Sequence, residues 1–210
     1  MRTYPIMLLV RDRLCVVVGA GEVGLRKARS LRLAGARVRL VDPAAPDEAA
    51  ELEGVEVVRR PYEAGLLHGA RLVFACTDDR AVNSRVFADA RAAGALVNVA
   101  DMPEECDFYA PAVVADGDVT IAIGTGGAAP GLAGMLRSFL AEHLPPRIGE
   151  FAAALQELRL LIHATAPDAK LRMRVLKELA GQEGYEAFLK GGPGELRRLA
   201  EEKLARAKLP

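Results

Sequence analysis

Short apolar runs alternate with segments of helical spacing over the first half of the chain. Strand-like runs rich in valine, leucine and alanine occupy residues 14–18, 37–42, 56–59, 72–75 and 96–99. Between them, 23–34 and 79–93 carry apolar residues three or four positions apart, as an amphipathic helix does. Because strands joined by helical crossovers pair in parallel, we predict an α/β domain whose mostly parallel sheet is covered on both faces.

The pattern changes after residue 112. Two short runs, 113–115 and 119–123, flank the turn sequence Asp116-Gly117-Asp118 and predict a β-hairpin. Amphipathic helices are expected at 130–144, from Ile148, from Pro167 and Asp168, and after Pro193-Gly194 to near Lys208. We therefore expect three parts, 1–112, 113–146 and 147–210, of which the last is helical.

Composition removes several classes of function. The 210 residues hold 28 basic and 28 acidic side chains and only 5% aromatic residues, which argues against a nucleic-acid partner. The longest apolar runs are strand-sized, so neither a membrane partner nor a signal peptide is expected. Cys15, Cys76 and Cys106 fit neither a disulfide framework nor a zinc pattern, and no fixed metal is expected. These features predict a cytoplasmic protein.

A glycine-rich motif, G-x-G-x-x-G, joins the first strand to the first helix. We expect Gly19 to allow a tight turn, Gly21 to admit a pyrophosphate to the backbone, and Gly24 to allow close packing of helix on strand. The first helical amides, at Glu22 and Val23, would hold the phosphates together with the helix dipole. In this context the motif predicts a dinucleotide-binding, Rossmann-type parallel sheet.

Further cofactor contacts are expected at the ends of the second and fourth strands. A carboxylate at Asp42 can bind a ribose 2′-hydroxyl and would repel a 2′-phosphate, which favours NAD over NADP. The adjacent Pro43 and, after the fourth strand, Thr77 and Asp78 complete this predicted set. For Thr77 and Asp78 another interpretation stays open, in which one of them caps a helix and Asp79 lies in its first turn.

Two segments are candidates for substrate chemistry. Asn98 to Asp101 lie at the end of the fifth strand and just after it, where Asp101 is either a base near the nicotinamide or a turn aspartate satisfied by local amides. The glycine-rich turn at Gly124-Thr125-Gly126-Gly127 is either an anion site for a substrate carboxylate or a tight connection into the next helix. The residues alone slightly favour the tight connection.

Taken together, these segments resemble the precorrin-2 dehydrogenase/sirohydrochlorin ferrochelatase family, the N-terminal module of siroheme synthases. The matching segments lie in family order between about residues 4 and 145. They are Tyr4-Pro5-Ile6, 18–24, Arg26-Lys27-Ala28, 35–38, 75–79, Val82-Asn83, 97–103, Cys106-Asp107-Phe108, Pro111-Ala112, and Thr125-Gly126-Gly127 with Pro130. The helical tail matches only in length and character.

The resemblance implies an NAD-binding domain, a small α+β dimerisation unit and a C-terminal helical domain, assembled as a homodimer. It implies that the chain oxidises the acidic tetrapyrrole precorrin-2 to sirohydrochlorin with NAD⁺. Some members then insert Fe²⁺, a substrate, to give siroheme. Asp101 matches the family's proposed catalytic aspartate, and Asn98, Thr125, Gly126 and Gly127 are the predicted substrate contacts.

Three positions depart from the family pattern. Asp42 stands where a small residue is more usual, which strengthens the prediction of NAD. Gly24 stands where the family often has alanine, a difference we expect to be harmless for helix packing, and Gly124 stands where serine is common. The glycine motif by itself is also compatible with a non-catalytic NAD-sensing regulatory module, or with a dehydrogenase for an unrelated small substrate.

Overall fold

The computed structural model describes residues 3–166 and 168–206. Within it the chain forms two compact units. The first unit consists of Met1–Ala110 together with Gly124–Ala129, and the second of Pro111–Ile123 together with Pro130–Pro210. The division into three parts at 112/113 and 146/147 stays a prediction.

A five-stranded parallel sheet forms the centre of the first unit, with strand order β3-β2-β1-β4-β5. Its elements are β1 (Leu14–Val18), α1 (Glu22–Leu33), β2 (Arg37–Val41), α2 (Asp47–Ala50), β3 (Val55–Val58), β4 (Ala70–Ala75), α3 (Arg80–Ala92) and β5 (Leu96–Val99). Two single 3₁₀ turns, Ala64–Leu67 and Pro103–Glu105, complete it. The predicted Rossmann-type sheet is confirmed, whereas α2 and the two 3₁₀ turns are too short to show a helical period in the sequence.

Alternation of side chains along β1 explains why it lies at the centre of the sheet. Cys15 and Val17 pack on one face with Leu25 and Ala28 of α1. Val16 and Val18 pack on the other face in a second cluster with residues of α3, Val86 and Ala90. A strand that is buried on both faces reads as a continuous apolar run, which is the pattern of 14–18.

The order of the strands reverses at β1, which pairs with β2 on one side and β4 on the other. Val18, the last residue of β1, is opposite Val41 of β2 and Ala75 of β4. Gly19, Asp42 and Cys76 therefore leave the sheet together at its carboxyl edge. In open α/β sheets this switch point is where ligands bind.

The second unit combines a hairpin with four helices. The antiparallel strands are β6 (Ala112–Asp116) and β7 (Val119–Ile123), which confirms the predicted hairpin. The helices are α4 (Pro130–His143), α5 (Ile148–Thr165), α6 (Ala169–Leu179) and α7 (Gln182–Arg206). The core formed by α5, α6 and α7 includes the fully buried Ile162, Leu179, Phe188 and Leu196.

One helix prediction needs correction. The last helix was expected only after Pro193-Gly194, but α7 begins at Gln182 and bends at Gly191 and Gly192, whose backbone angles are not helical. The two glycines absorb the bend before Pro193, so a proline that ends most helices here begins a second helical segment. The predicted start at Pro167 and the end near Lys208 lie outside the described residues.

Candidate functional site

The glycine motif forms a tight loop between β1 and α1. Gly19 has a φ of +99°, and a Cβ on it would lie 2.5 Å from the carbonyl oxygen of Cys76. A Cβ on Gly24 would overlap the carbonyl oxygen of Gly19. Glycine at position 24 therefore lets α1 pass close to the loop, whereas alanine would clash there.

Gly21 differs from Gly19 and Gly24 because the space where its side chain would lie is empty. A Cβ built on Gly21 would meet no heavy atom within 4 Å. Gly21 is the N-cap of α1 and no side chain caps the helix, so the first amides keep their donors free of intrahelical partners. Glu22 and Val23 are exposed in this first turn. The loop is thus an open cradle of amides at a helix start, which suits a pyrophosphate.

Asp42 links the end of β2 to the glycine loop. Its Oδ2 accepts a hydrogen bond from the Ala20 amide at 2.7 Å, and its Oδ1 accepts one from the Ala44 amide at 2.8 Å. The second bond closes a turn around the exposed Pro43. Each carboxylate oxygen has a further lone pair, so the partly exposed Asp42 can still accept from a ribose hydroxyl.

Thr77 is held at the end of β4 by Asn83, a residue of α3 that is 5% exposed. The Thr77 hydroxyl donates to Asn83 Oδ1 at 2.7 Å, the Thr77 amide donates to the same oxygen at 3.2 Å, and Asn83 Nδ2 donates to the Thr77 carbonyl at 2.8 Å. Asn83 was not among the site residues predicted from the sequence, although an asparagine on an otherwise apolar helix face was a usable signal.

The capping interpretation of this segment requires a correction. Asp79, not Thr77 or Asp78, is the N-cap of α3, and its Oδ1 accepts from the amides of Ala81 and Val82. Asp79 therefore precedes the helix rather than lying in its first turn. Asp78 is exposed beside it at the carboxyl edge of the sheet.

Asp101 lies just beyond β5 in a left-handed backbone conformation, with a φ of +58°. Non-glycine residues adopt this region rarely, aspartate and asparagine more often than most, and such strain is concentrated at functional sites. Its carboxylate is exposed, and the preceding Ala100 amide is anchored to the Ala75 carbonyl of β4 at 2.9 Å. Asp101 is thus on the edge that carries the glycine loop and Thr77.

Asn98 has its amide nitrogen committed inside the protein. Nδ2 donates to the Phe108 carbonyl at 2.9 Å and lies 3.4 Å from Cys106 Sγ. These bonds tie β5 to the segment that follows the Asp101 turn. Because Nδ2 is already bonded, the predicted contact of Asn98 with a substrate would have to be made by its side-chain carbonyl oxygen.

The segment from Gly124 to Ala129 belongs to the same unit as the sheet. Thr125 accepts two local bonds, from the Ala128 amide at its carbonyl (3.2 Å) and from the Ala129 amide at its hydroxyl (3.4 Å). Gly126 and Gly127 have φ values of +64° and +81°. A Cβ on Gly127 would meet the Tyr109 ring at 3.5 Å, and the Tyr109 hydroxyl donates to the Pro103 carbonyl. Tyr109 therefore connects this loop to the chain just after Asp101.

A half-buried lysine, which the site predictions did not include, lies near these residues. Lys27 of α1 has its ammonium 5.4 Å from the centre of the Phe74 ring. Burial lowers the pKa of Lys27 below its usual value. Burial raises the pKa of Cys76 to about 11, with the charge of Lys27 opposing that rise and that of Asp101 adding to it. The Cys76 thiol is consequently neutral at physiological pH and is no thiolate nucleophile.

The described residues form neither a metal centre nor a membrane-spanning helix. Residues 3–166 and 168–206 hold no group of three or more histidine, cysteine, aspartate or glutamate side chains suited to a metal ion. Within the same ranges, no helix has the length and apolar character that crossing a bilayer requires.

Comparison with curated proteins finds siroheme synthases. The chain is 36% identical over 208 residues to the siroheme synthase of Ectopseudomonas mendocina (strain ymp), an alignment that covers 99% of this chain and 45% of the relative. It is 38% identical over 204 residues to the siroheme synthase of Pseudomonas paraeruginosa (strain DSM 24068 / PA7), covering 96% and 44%. The chain thus spans less than half of the length of these relatives.

A solved structure shares the fold. SirC, precorrin-2 dehydrogenase, superimposes with a TM-score of 0.76 at 24% sequence identity, covering 95% of this chain and 100% of that chain. At this level of identity the likeness establishes a common fold.

The model of a family described as putative NAD(P)-binding matches residues 6–112. This segment is more than half of the 210 residues. It contains the complete five-stranded sheet, the glycine loop and the edge that carries Asp42, Thr77 and Asp101. The chain therefore belongs to the putative NAD(P)-binding family.

Proposed function

We propose that this chain is an NAD-dependent dehydrogenase that oxidises precorrin-2 to sirohydrochlorin. The observation that carries the proposal is the placement of Asp101, an exposed carboxylate in a left-handed turn, on the same sheet edge as the open glycine loop. The similarity to siroheme synthases, and the fold shared with a precorrin-2 dehydrogenase, support this choice of reaction.

The cofactor contacts follow from the carboxyl edge of the sheet. The open side of Gly21 and the free first-turn amides at Glu22, Val23 and Gly24 would receive the pyrophosphate. Asp42, with Pro43 in its turn, would bind the adenosine ribose, and its charge would disfavour a 2′-phosphate, so the cofactor is NAD. Thr77 and Asp78 would border the dinucleotide where β4 ends, close to Gly19.

The reaction removes a hydride and a proton from precorrin-2. When bound, NAD⁺ would supply the acceptor for the hydride. The carboxylate of Asp101 accepts the proton, so that two electrons and two hydrogen nuclei leave the substrate together. The Asp101 carboxylate is exposed at the carboxyl edge of the sheet, and the left-handed turn fixes the position of its backbone. A substrate bound at this edge can therefore contact it directly.

The substrate would be held by polar groups of β5 and of the glycine-rich loop. Asn98 would use its carbonyl oxygen, since its Nδ2 is committed to Phe108. Gly126 and Gly127, both with positive φ, would offer their amides to a carboxylate of the tetrapyrrole beside the Thr125 hydroxyl.

Insertion of Fe²⁺ into sirohydrochlorin stays a prediction from the family resemblance. In that step Fe²⁺ is a substrate, and the pyrrole N–H protons must be removed as the metal enters. Asp101 would serve as the base for those protons as well, so a single carboxylate would be required by both reactions.

We also propose a homodimer that uses the second unit. Leu132, Met135 and Phe139 project from α4 with 47%, 58% and 53% of their surfaces exposed. They recur at three and four positions and therefore form one apolar stripe, which is typical of an interaction surface.

The three free cysteines agree with the expected cytoplasmic location.

The catalytic proposal is tested by replacing Asp101 with asparagine, which tolerates the left-handed backbone but is no base. For Asp101→Asn we expect kcat for precorrin-2 oxidation to fall by about 100-fold or more, with the Kd for NAD⁺ unchanged. Asp118→Asn, in the hairpin turn of the other unit, is the matched control. Near-normal turnover by Asp101→Asn would refute the role of Asp101. A wild-type protein that binds NAD⁺ but never turns over would favour the NAD-sensing alternative.

A further inference from the structure

The thiol of Cys106 is surrounded by backbone groups of the turn that carries Asp101. Its Sγ accepts from the Val99 amide at 3.3 Å. It also lies 3.3 Å from the Val99 carbonyl oxygen and 3.2 Å from the Met102 carbonyl oxygen, either of which can accept its S–H. One side chain thus bonds the backbone on both sides of Ala100 and Asp101.

Other bonds of this region span a longer stretch of chain or lie wholly beyond the turn. Asn98 Nδ2 donates to the Phe108 carbonyl and the Val97 amide donates to Asp107 Oδ2, so both join β5 to the segment beyond Cys106. The backbone itself closes the turn through a long bond, from the Met102 amide to the Val99 carbonyl at 3.5 Å. Ser84 of α3 donates to the Glu105 carboxylate, and Tyr109 donates to the Pro103 carbonyl. Both hold the chain after Met102. Among the described side chains, only that of Cys106 is bonded to both Val99 and Met102, the residues that flank Ala100 and Asp101.

A left-handed aspartate needs such a constraint. The conformation of Asp101 costs free energy and persists only where the surrounding structure imposes it. We propose that Cys106 is a positioning residue that closes the Asp101 turn and so sets the direction of the Asp101 carboxylate. This inference rests on the proposed role of Asp101 as the base.

The chemistry of the thiol suits this task. Burial raises the pKa of Cys106, so the group keeps its proton near neutral pH and can donate and accept at the same time. Sulfur also reaches further from Cβ than oxygen does. Serine would therefore leave at least one of the three backbone contacts too long, whereas alanine would remove all of them.

The test compares Cys106→Ala and Cys106→Ser with Cys15→Ala, which removes a fully buried thiol from β1. We expect Cys106→Ala to lower kcat by about 10- to 100-fold, the cost of a misplaced catalytic group, with the Kd for NAD⁺ unchanged and Cys106→Ser intermediate. Cys15→Ala should lower thermal stability and leave kcat unchanged. An unaltered kcat in Cys106→Ala would overturn the inference.

A double mutant separates positioning from a general structural effect. In the Asp101→Asn background, Cys106→Ala should cause no further loss of kcat, because the group that it positions is already gone. The same fold-loss in both backgrounds would overturn the inference.

Amide hydrogen exchange tests the turn without any substrate. The Val99 amide, which donates to the thiol, should exchange faster in Cys106→Ala than in wild type, and it should stay protected in Cys15→Ala. Unchanged Val99 protection would overturn the inference. If the wild type fails to oxidise precorrin-2 but Val99 responds as expected, the proposed function fails and the closure of the turn by Cys106 stands.

Discussion

The Asp42 carboxylate accepts a hydrogen bond from the Ala20 amide at 2.7 Å. The residue expected to choose between NAD and NADP therefore also supports the glycine loop that would hold the pyrophosphate. Asp42 is thus expected to determine both the selectivity for NAD over NADP and the geometry of the glycine loop. Different substitutions at Asp42 can distinguish these two effects.

Asp42→Asn should lower selectivity more than stability. An asparagine Oδ1 can replace one of the two acceptors, whereas the charge that repels a 2′-phosphate is lost. We expect the ratio of the Kd values for NADP⁺ and NAD⁺ to fall by about tenfold, a change of about 1.4 kcal/mol. Asp42→Ala should in addition lower the free energy of unfolding by about 1–3 kcal/mol, because two amides lose a charged partner. Titrations with both dinucleotides and chemical denaturation measure these changes, and an unchanged ratio in Asp42→Asn would contradict the assignment.

Alanine substitutions in the glycine loop should have opposite consequences at two positions. Gly24→Ala forces a methyl group into the Gly19 carbonyl, and we expect a loss of about 1–3 kcal/mol in the free energy of unfolding. Gly21→Ala meets no protein atom, so it should fold normally and instead weaken NAD⁺ binding by occupying the space reserved for the pyrophosphate. Denaturation curves and NAD⁺ titrations of both variants provide the check. Wild-type affinity in Gly21→Ala would place the pyrophosphate elsewhere.

Features of the fold that follow from the spacing of apolar residues and glycines along the chain were predictable from the sequence. The run at 14–18 is apolar throughout because β1 is covered on both faces, and the glycine spacing after it identified the loop. Features that depend on the path of the backbone were not. The sequence offered Thr77 or Asp78 as the N-cap of α3, and only the path of the chain after β4 makes Asp79 the N-cap. The bonds of Cys106 to the Asp101 turn leave no periodic signal either.

Removing the amide of Asn83 should loosen the end of β4. In Asn83→Ala the Thr77 amide and carbonyl lose their partner, the Thr77 hydroxyl keeps only its bonds with the Asp79 backbone, and we expect a loss of about 1–3 kcal/mol in the free energy of unfolding. NAD⁺ affinity should also fall, because Thr77 borders the proposed dinucleotide site. Ser84→Ala, at the next position of α3, is the comparison, since it affects Glu105 rather than Thr77. Equal NAD⁺ affinities in the two variants would show that Thr77 does not need this support.

The charge of Lys27 should oppose folding at neutral pH. Burial lowers its pKa in the folded state, so the unfolded chain holds this proton more tightly. The contribution of Lys27 to the free energy of unfolding therefore rises with pH between its lowered pKa in the folded state and the ordinary value of 10.5. We expect Lys27→Met to be more stable than wild type at neutral pH, with the difference shrinking as pH rises through that window. Denaturation at a series of pH values tests this, with Lys177→Met at an exposed helix position as control. A difference that grows with pH would contradict the account.

The most direct measurement is anaerobic incubation of the wild-type protein with precorrin-2 and NAD⁺, followed by absorbance. We expect NADH and the spectrum of sirohydrochlorin to appear together in equal amounts, and neither to appear when NAD⁺ is omitted. Addition of Fe²⁺ afterwards would reveal the chelatase step through conversion to siroheme faster than in a protein-free blank. Absence of NADH and sirohydrochlorin from a protein shown separately to bind NAD⁺ would contradict the central claim.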